Sequence, residues 1–270
     1  MPSFATPEGT IRYAKRFPPG RAADGHFRAR NGLLLSSIGI GTYLGEPDAS
    51  TDQSYTDAIV AAGSSGVNVI DSAINYRFQR SERSIGAALR QLAAAGIQRN
   101  ELLLCTKGGF LTPDGDVPPD SRTYFMDEYI RPGILRPDDV AGGGHCMAPR
   151  FLENQLQRSL HNLGVDCVDV YYVHNPEAQL AMVPRDEFLR RIRATFEYLE
   201  SAVTSGMIRA YGAATWNGFR QAPENSDYLS LYDMVSAARE IAVEAHHFRF
   251  VQLPFNLAMT EAIGRPNQVL

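Results

Sequence analysis

The sequence predicts a single α/β domain built on a buried parallel sheet, and three observations carry that prediction. Short, almost uninterrupted apolar runs rich in Val, Ile and Leu recur along the chain. Between them lie longer segments whose apolar residues fall at helical spacing. No linker or composition break divides the series. Strands of a parallel sheet are covered on both faces and so read as continuous apolar runs, and each is joined to the next by a crossover, usually a helix.

Residues 1–36 form an appendage ahead of this rhythm. Ile11 to Phe17 and His26 to Leu35 are β-compatible runs separated by Pro18-Pro19-Gly20, a strong turn signal, and together they predict a hairpin. From residue 37 to residue 270 strands and helices alternate. Ser37 to Thr42 is the first strand, followed by a helix over Ser50 to Ala62. Val67 to Ile70 is a compact β-branched strand, and Ser81 to Ala95 is helical. Leu102 to Thr106 is the third strand. Its helix, Arg150 to Leu163, comes only after residues 110–149, an insertion rich in proline and carrying Gly142-Gly143-Gly144. A connection of that length is read either as an active-site cover or as a plain surface excursion. Val168 to Val173, Ile208 to Thr215 and Phe250 to Leu253 complete six strands, with helices over Arg185 to Ser205 and Leu229 to Glu244 between them.

Composition narrows the function. Apolar residues make up 44% of the chain and charged residues 21%, as in ordinary globular proteins. A net charge of −4 gives no footprint for nucleic acid or an anionic membrane. The start of the chain opens no apolar run of signal-peptide type, and no stretch reaches the length of a membrane span. Three cysteines do not make a disulfide framework, so a reducing, cytoplasmic setting is expected. No phosphate-cradling or dinucleotide glycine motif is present, and His145-Cys146 and His246-His247 are isolated pairs without metal-ligand spacing, so no metal is expected.

Ionisable side chains, however, cluster at the ends of the strands. Asp71 closes the second, Lys107 the third and His174 the fourth, while Tyr76 lies five residues after Asp71. Singly, these read as a helix cap, a solvated charge and a structural histidine. In a parallel barrel the strand C-termini converge on one rim, where such residues meet. A phenol, with a pKa near ~10, is a poor acid unless an ammonium favours its anion. A carboxylate would hold that ammonium, and an imidazole would orient a carbonyl oxygen by hydrogen bonding.

These residues and their surroundings resemble the aldo-keto reductase family. Val67 to Tyr76 followed by Ser81 to Leu89, Leu102 to Lys107, and Ser159 to Asp166 leading into Val168 to His174 carry the likeness, together with Gly39 to Thr42 and Val251-Gln252. The resemblance implies a (β/α)8 barrel of TIM type that binds NADPH, or NADH, and reduces an aldehyde or ketone to an alcohol, or the reverse. It implies a catalytic set of Asp71, Tyr76, Lys107 and His174, with Tyr76 the proton donor. It also implies nicotinamide contacts from Thr42, Asp71 and Gln252. At the end of the fifth strand, Gly212 to Asn217 departs from the family's usual segment, and either Thr215 or Asn217 would take the carboxamide. The partner would be a small carbonyl or alcohol.

The seventh and eighth strand–helix units of such a barrel do not follow the sixth strand before Leu270. The expectation is therefore an incomplete barrel of six strands, belonging to a longer reductase or completed by a partner chain. The competing expectation is a non-catalytic binding or regulatory protein, or an inactive fragment, that keeps the reductase fold.

Overall fold

The computed structural model describes residues 3–268. In chain order its elements are α1 (Pro7–Ala14), β1 (Phe27–Arg30), β2 (Leu33–Ser36), β3 (Ile40–Gly41), α2 (Ala49–Ser64), β4 (Val69–Asp71), α3 (Arg80–Ala94) and β5 (Leu103–Gly108). There follow α4 (Ser121–Phe125), α5 (Pro149–Leu163), β6 (Val168–His174), α6 (Arg185–Thr204), β7 (Ile208–Ala214), α7 (Leu231–Ala242), β8 (Phe248–Gln252) and α8 (Glu261–Gly264). All six core strands lie where the apolar runs predict them. Strands β3 to β8 hydrogen-bond in chain order. That one-way order is the winding of a β/α barrel; a doubly wound fold reverses direction at a switch point. Among the described residues β3 and β8 are the edges of this sheet.

The chain divides into two compact units, the first comprising the residues up to Thr106, Thr112–Val117 and Gln157–Val170, the second Lys107–Leu111, Pro118–Leu156 and the residues from Tyr171 on.

In the first unit β3, β4 and β5 are parallel, with Gly41 opposite Asp71 and Asp71 opposite Cys105. The hairpin exists, but between other strands than those predicted. β1 pairs antiparallel with β2, from Phe27 opposite Ser36 to Arg30 opposite Leu33. Its tight turn is Asn31-Gly32, both at positive φ (48° and 78°), as the twist of a two-residue hairpin demands. Residues 11–17, predicted as the first hairpin strand, instead begin within α1. Thr6 caps that helix by accepting the Gly9 N–H, with Pro7 at its first position and Glu8 in its first turn. These three start signals outweigh the β-compatible composition. Asn68 locks the hairpin in place: its side-chain amide donates to the Leu34 carbonyl at 3.0 Å and its Oδ1 accepts the Ser36 N–H at 2.8 Å.

In the second unit β7 pairs parallel with β8, from Gly212 opposite Phe250 to Ala214 opposite Gln252. Gly212 has no substitute there, because a Cβ would lie 2.1 Å from the Phe250 carbonyl oxygen. Phe188, Ile192, Phe196 and Leu199 recur at helical spacing along α6 and are all buried. Phe196 packs on Tyr211 and Phe248 at ring separations of 5.0 and 5.3 Å.

The 110–149 insertion is ordered. It carries α4, a π-helical turn over Met126–Ile130 and a 3-10 turn over Pro137–Asp139. In the second unit it closes on itself: Leu111 N–H donates to the Gly144 carbonyl and Cys146 N–H to the Gly109 carbonyl, at 2.9 and 2.7 Å. Among the described residues no helix is long and apolar enough to cross a membrane.

Candidate active site

Six of the residues singled out by the sequence stand at the same point of their own strands. Thr42 follows β3, Asp71 ends β4, Lys107 is the penultimate residue of β5, His174 ends β6, Thr215 follows β7 and Gln252 ends β8. Each is thus at or just past the carboxyl end of its strand, the end that carries chemistry in β/α barrels.

Thr42, Asp71 and Tyr76 belong to the first unit. The β3–β4 register sets Thr42 beside Asp71, and the Thr42 hydroxyl meets the Ser72 hydroxyl at 2.9 Å. Ser81 at the start of α3 donates to the Thr42 carbonyl at 2.7 Å. Tyr76 sits on a loop whose next three residues, Arg77, Phe78 and Gln79, all have left-handed backbone (φ 50°, 55° and 72°). Non-glycine residues adopt that region only when their surroundings impose it. Arg77 donates to the Glu46 carbonyl at 2.8 Å and to Asp52 at 2.6 Å, while Gln79 donates to the Pro113 carbonyl and accepts from Asn162, both at 3.1 Å. The strained turn is thereby held, and Tyr76 with it. The Tyr76 ring lies 4.9 Å from that of Tyr43, which is largely exposed. Burial pushes the Tyr76 phenol well above its ordinary range, and the Asp71 carboxylate adds to the effect.

Lys107, His174, Thr215, Asn217 and Gln252 belong to the second unit. Lys107 lies within β5 rather than after it and is buried. His174 is buried too. Desolvation, then the Lys107 charge and His145, lower its imidazole to about 3, so it is neutral at neutral pH and carries one N–H. Two residues of the insertion pack on it. Phe110 stands edge-on to the His174 ring at 5.3 Å and to the His145 ring at 5.1 Å. His145 is fully buried and bonds through Nε2 to the His174 carbonyl oxygen at 2.8 Å. The sequence marks His145 only as half of a metal-type pair, and its contact with His174 is invisible there.

At the β7 end Thr215 N–H donates to the Gln252 carbonyl at 2.8 Å, which brings these two residues together. The Thr215 side chain is buried, and its hydroxyl has no hydrogen-bond partner among the described residues. Trp216 is exposed rather than packed in the core. Glu177 went unnoticed in the sequence: its buried carboxylate accepts the N–H groups of Trp216, Asn217 and Gly218 at 2.8, 3.1 and 3.4 Å. Burial pushes that carboxyl up despite the three amides.

The buried histidines have a consequence for stability. His145 is lowered from 6.5 to about 4 by desolvation. Between these values the unfolded chain binds more protons than the native one, so stability falls as pH falls. His145→Gln removes one such group. Its unfolding free energy is expected to decline between pH 6 and pH 4 less steeply than that of the unsubstituted protein, by about 1 kcal/mol per pH unit. Glu82 and Glu177, raised by burial, act in the opposite sense in both proteins and cancel from the difference. Parallel urea titrations at stepped pH measure it, and identical slopes would refute the protonation argument.

A parallel sheet whose strands follow one another in chain order defines a β/α protein of barrel-type winding. The profile of the Aldo/keto reductase family matches residues 37–236, and the chain belongs to that family. It is 27% identical over 219 residues to aldo-keto reductase family 4 member C11 of Arabidopsis thaliana, covering 80% of this chain and 53% of that protein. It is 29% identical over 190 residues to the NADH-specific methylglyoxal reductase of Escherichia coli strain K12, covering 67% and 49%. The chain thus spans about half the length of the curated relatives it matches. Among solved structures, a thermostable aldo-keto reductase in complex with the inhibitor epalrestat superposes with a TM-score of 0.53 at 19% identity, over 85% of this chain and 62% of that one. This last likeness concerns the fold alone.

Proposed function

We propose that the chain is an NAD(P)H-dependent oxidoreductase that interconverts a small aldehyde or ketone and its alcohol, with Tyr76 as proton donor. The observation that carries this reading is the placement of Asp71, Lys107 and His174 at consecutive strand ends of an aldo/keto reductase, with Tyr76 on the loop leaving the first of them.

The buried, partnerless hydroxyl of Thr215 supports a nicotinamide nucleotide as the missing ligand. A buried hydroxyl without a partner is costly, and a carboxamide group would satisfy it. We assign that contact to Thr215 rather than Asn217, with Gln252 beside it, and Thr42 and Asp71 as further nucleotide contacts. When bound, the nucleotide supplies the two electrons and the hydrogen of the reduction. The protein supplies the proton. Tyr76, its phenol raised by burial and by Asp71, is protonated at neutral pH and so is available as an acid. His174, neutral, donates an N–H to the carbonyl oxygen and orients it. In this reading Lys107 is assigned the charge that offsets the anion left when the proton departs. Cys105, Cys146 and Cys167 are buried as thiols outside any disulfide, which supports a reducing, cytoplasmic setting.

Titration with NADPH and NADH, followed by fluorescence, and oxidation of either nucleotide in the presence of 4-nitrobenzaldehyde test the reading. Both nucleotides belong in the test because one relative is named NADH-specific. Binding without turnover would favour a regulatory protein, and no binding at all would overturn the proposal. Thr215→Val gives a sharper check. It is expected to leave thermal stability unchanged or slightly raised, since no native hydrogen bond is lost, while weakening nucleotide binding by roughly 5–10-fold, the worth of one hydrogen bond. An unchanged dissociation constant would remove Thr215 from the site.

A further inference from the structure

We propose that His145, carried by the 110–149 insertion, is a positioning residue that fixes the backbone of His174 through a relay running from α6. This rests on the reading of His174 as part of the reaction machinery, and it assigns the insertion a role other than a cover or a surface excursion.

The hydrogen bonds of the relay determine one another. Arg191 on α6 donates through Nη1 to the Gln179 Oε1 at 2.6 Å, while its Nε is held by Glu187 at 2.7 Å. That contact orients the Gln179 amide so that its nitrogen faces His145. The nitrogen donates to His145 Nδ1 at 2.9 Å and to the His145 carbonyl at 3.1 Å. With Nδ1 an acceptor, the neutral ring carries its proton on Nε2. Nε2 then donates to the His174 carbonyl oxygen at 2.8 Å. Each member has one role, and the ring cannot turn without losing bonds at both ends. Because burial holds His145 in its neutral form, this arrangement persists at neutral pH.

The surroundings leave the imidazole no other placement. Gly109, two residues after Lys107, has φ +148°, and a Cβ there would stand 2.9 Å from the His174 carbonyl oxygen and 3.0 Å from His145 Nε2. Only glycine leaves room for the bond. Phe110 closes edge-on against both rings. Beyond His174 the chain turns through Asn175 in left-handed backbone (φ 47°), whose N–H is tied to the Ala214 carbonyl at 2.6 Å. His174 thus ends its strand at a turn, and there its carbonyl is held by His145. Misplacement of an orienting group by about 1 Å can cost 10²-fold in rate.

The test uses the full chain with His145→Leu, His145→Gln and Gln179→Leu. Glutamine places an amide donor where Nε2 stood. His145→Leu is expected to lower kcat about tenfold or more with KM for the nucleotide unchanged, and His145→Gln to restore it to within about threefold. Independently of turnover, the His174 ring resonances of ¹⁵N-histidine-labelled protein, assigned with His174→Asn, are expected to shift and broaden in His145→Leu and return in His145→Gln. Gln179→Leu, which leaves the His145 ring in place but frees its orientation, is expected to give a smaller change of the same kind and serves if His145→Leu does not fold. His174 signals unmoved in the leucine variants overturn the proposal whatever the activity. Shifted signals in a protein without reductase activity uphold the positioning role and refute only the functional reading.

Discussion

Tyr76→Phe is expected to reduce carbonyl turnover by about 10²–10⁴-fold, the usual contribution of a positioned general acid, while leaving nucleotide affinity within about twofold. The substitution removes one oxygen and nothing else that the fold uses. The ring still packs 4.9 Å from Tyr43, and Arg77 and Gln79 still hold the loop. Loss of rate therefore reads loss of the proton and not collapse of the turn. Burial and Asp71 both push the phenol up, so it stays protonated through the neutral range. The same environment makes it a reluctant donor, and the proposed mechanism assigns Lys107 to offset the anion as it forms. Lys107→Met is accordingly expected to fall in kcat with a steeper dependence on pH than the unsubstituted chain. Steady-state rates at saturating nucleotide, set beside a fluorescence titration of the same preparation, separate the two quantities. Equal rates for Tyr76→Phe and the unsubstituted protein would take the proton donor away from position 76.

Strands β5 and β6 were legible because they are buried along their whole length, which leaves apolar runs with little polar alternation to confuse them. The strand-end residues were legible for a related reason: Asp71, Lys107 and His174 are the points where such runs meet an ionisable side chain. Lys107 is the exception in detail, since β5 continues through it to Gly108. Burial of a lysine inside a strand departs from its usual solvation, which no sequence pattern announces. The first hairpin strand was misread because Ile11 to Phe17 has β-compatible composition, while the deciding information lay upstream in Thr6-Pro7-Glu8. The insertion was opaque for a different reason. Its elements are one or two turns long and its order comes from contacts such as Tyr129 against Phe151 and His145 against His174, between residues far apart in the chain. Glu177 likewise acts on amides some forty positions away. Local periodicity carries no trace of either.

Asp169→Ala is expected to destabilise the protein by about 3–5 kcal/mol without altering its catalytic constants per folded molecule. Asp169 stands near the start of β6, five residues before His174, and its side chain is fully buried. One carboxylate oxygen accepts the Ala5 N–H at 2.7 Å, and the other accepts the Leu104 N–H at 2.9 Å and the Arg99 guanidinium at 2.8 Å. Three otherwise distant segments are thus gathered on one anion: the residues leading into α1, the start of β5 and the approach to it. Alanine leaves the Ala5 and Leu104 amides without their acceptor and takes the charge partner from Arg99, whose guanidinium keeps only the Leu102 and Cys167 carbonyls, and an unpaired buried group costs its full desolvation. Asp166→Ala, five residues after His161 and exposed on the same connection, is the control and is expected to stay within about 0.5 kcal/mol. At about 2–4 °C per kcal/mol for a chain of this size, Asp169→Ala should lower the melting temperature by roughly 6–20 °C. The residue sits at the amino end of its strand, the end that in β/α barrels serves stability, whereas His174 sits at the end that serves chemistry. A loss of turnover in Asp169→Ala that persists at temperatures where the variant is fully folded would break that division of labour along β6.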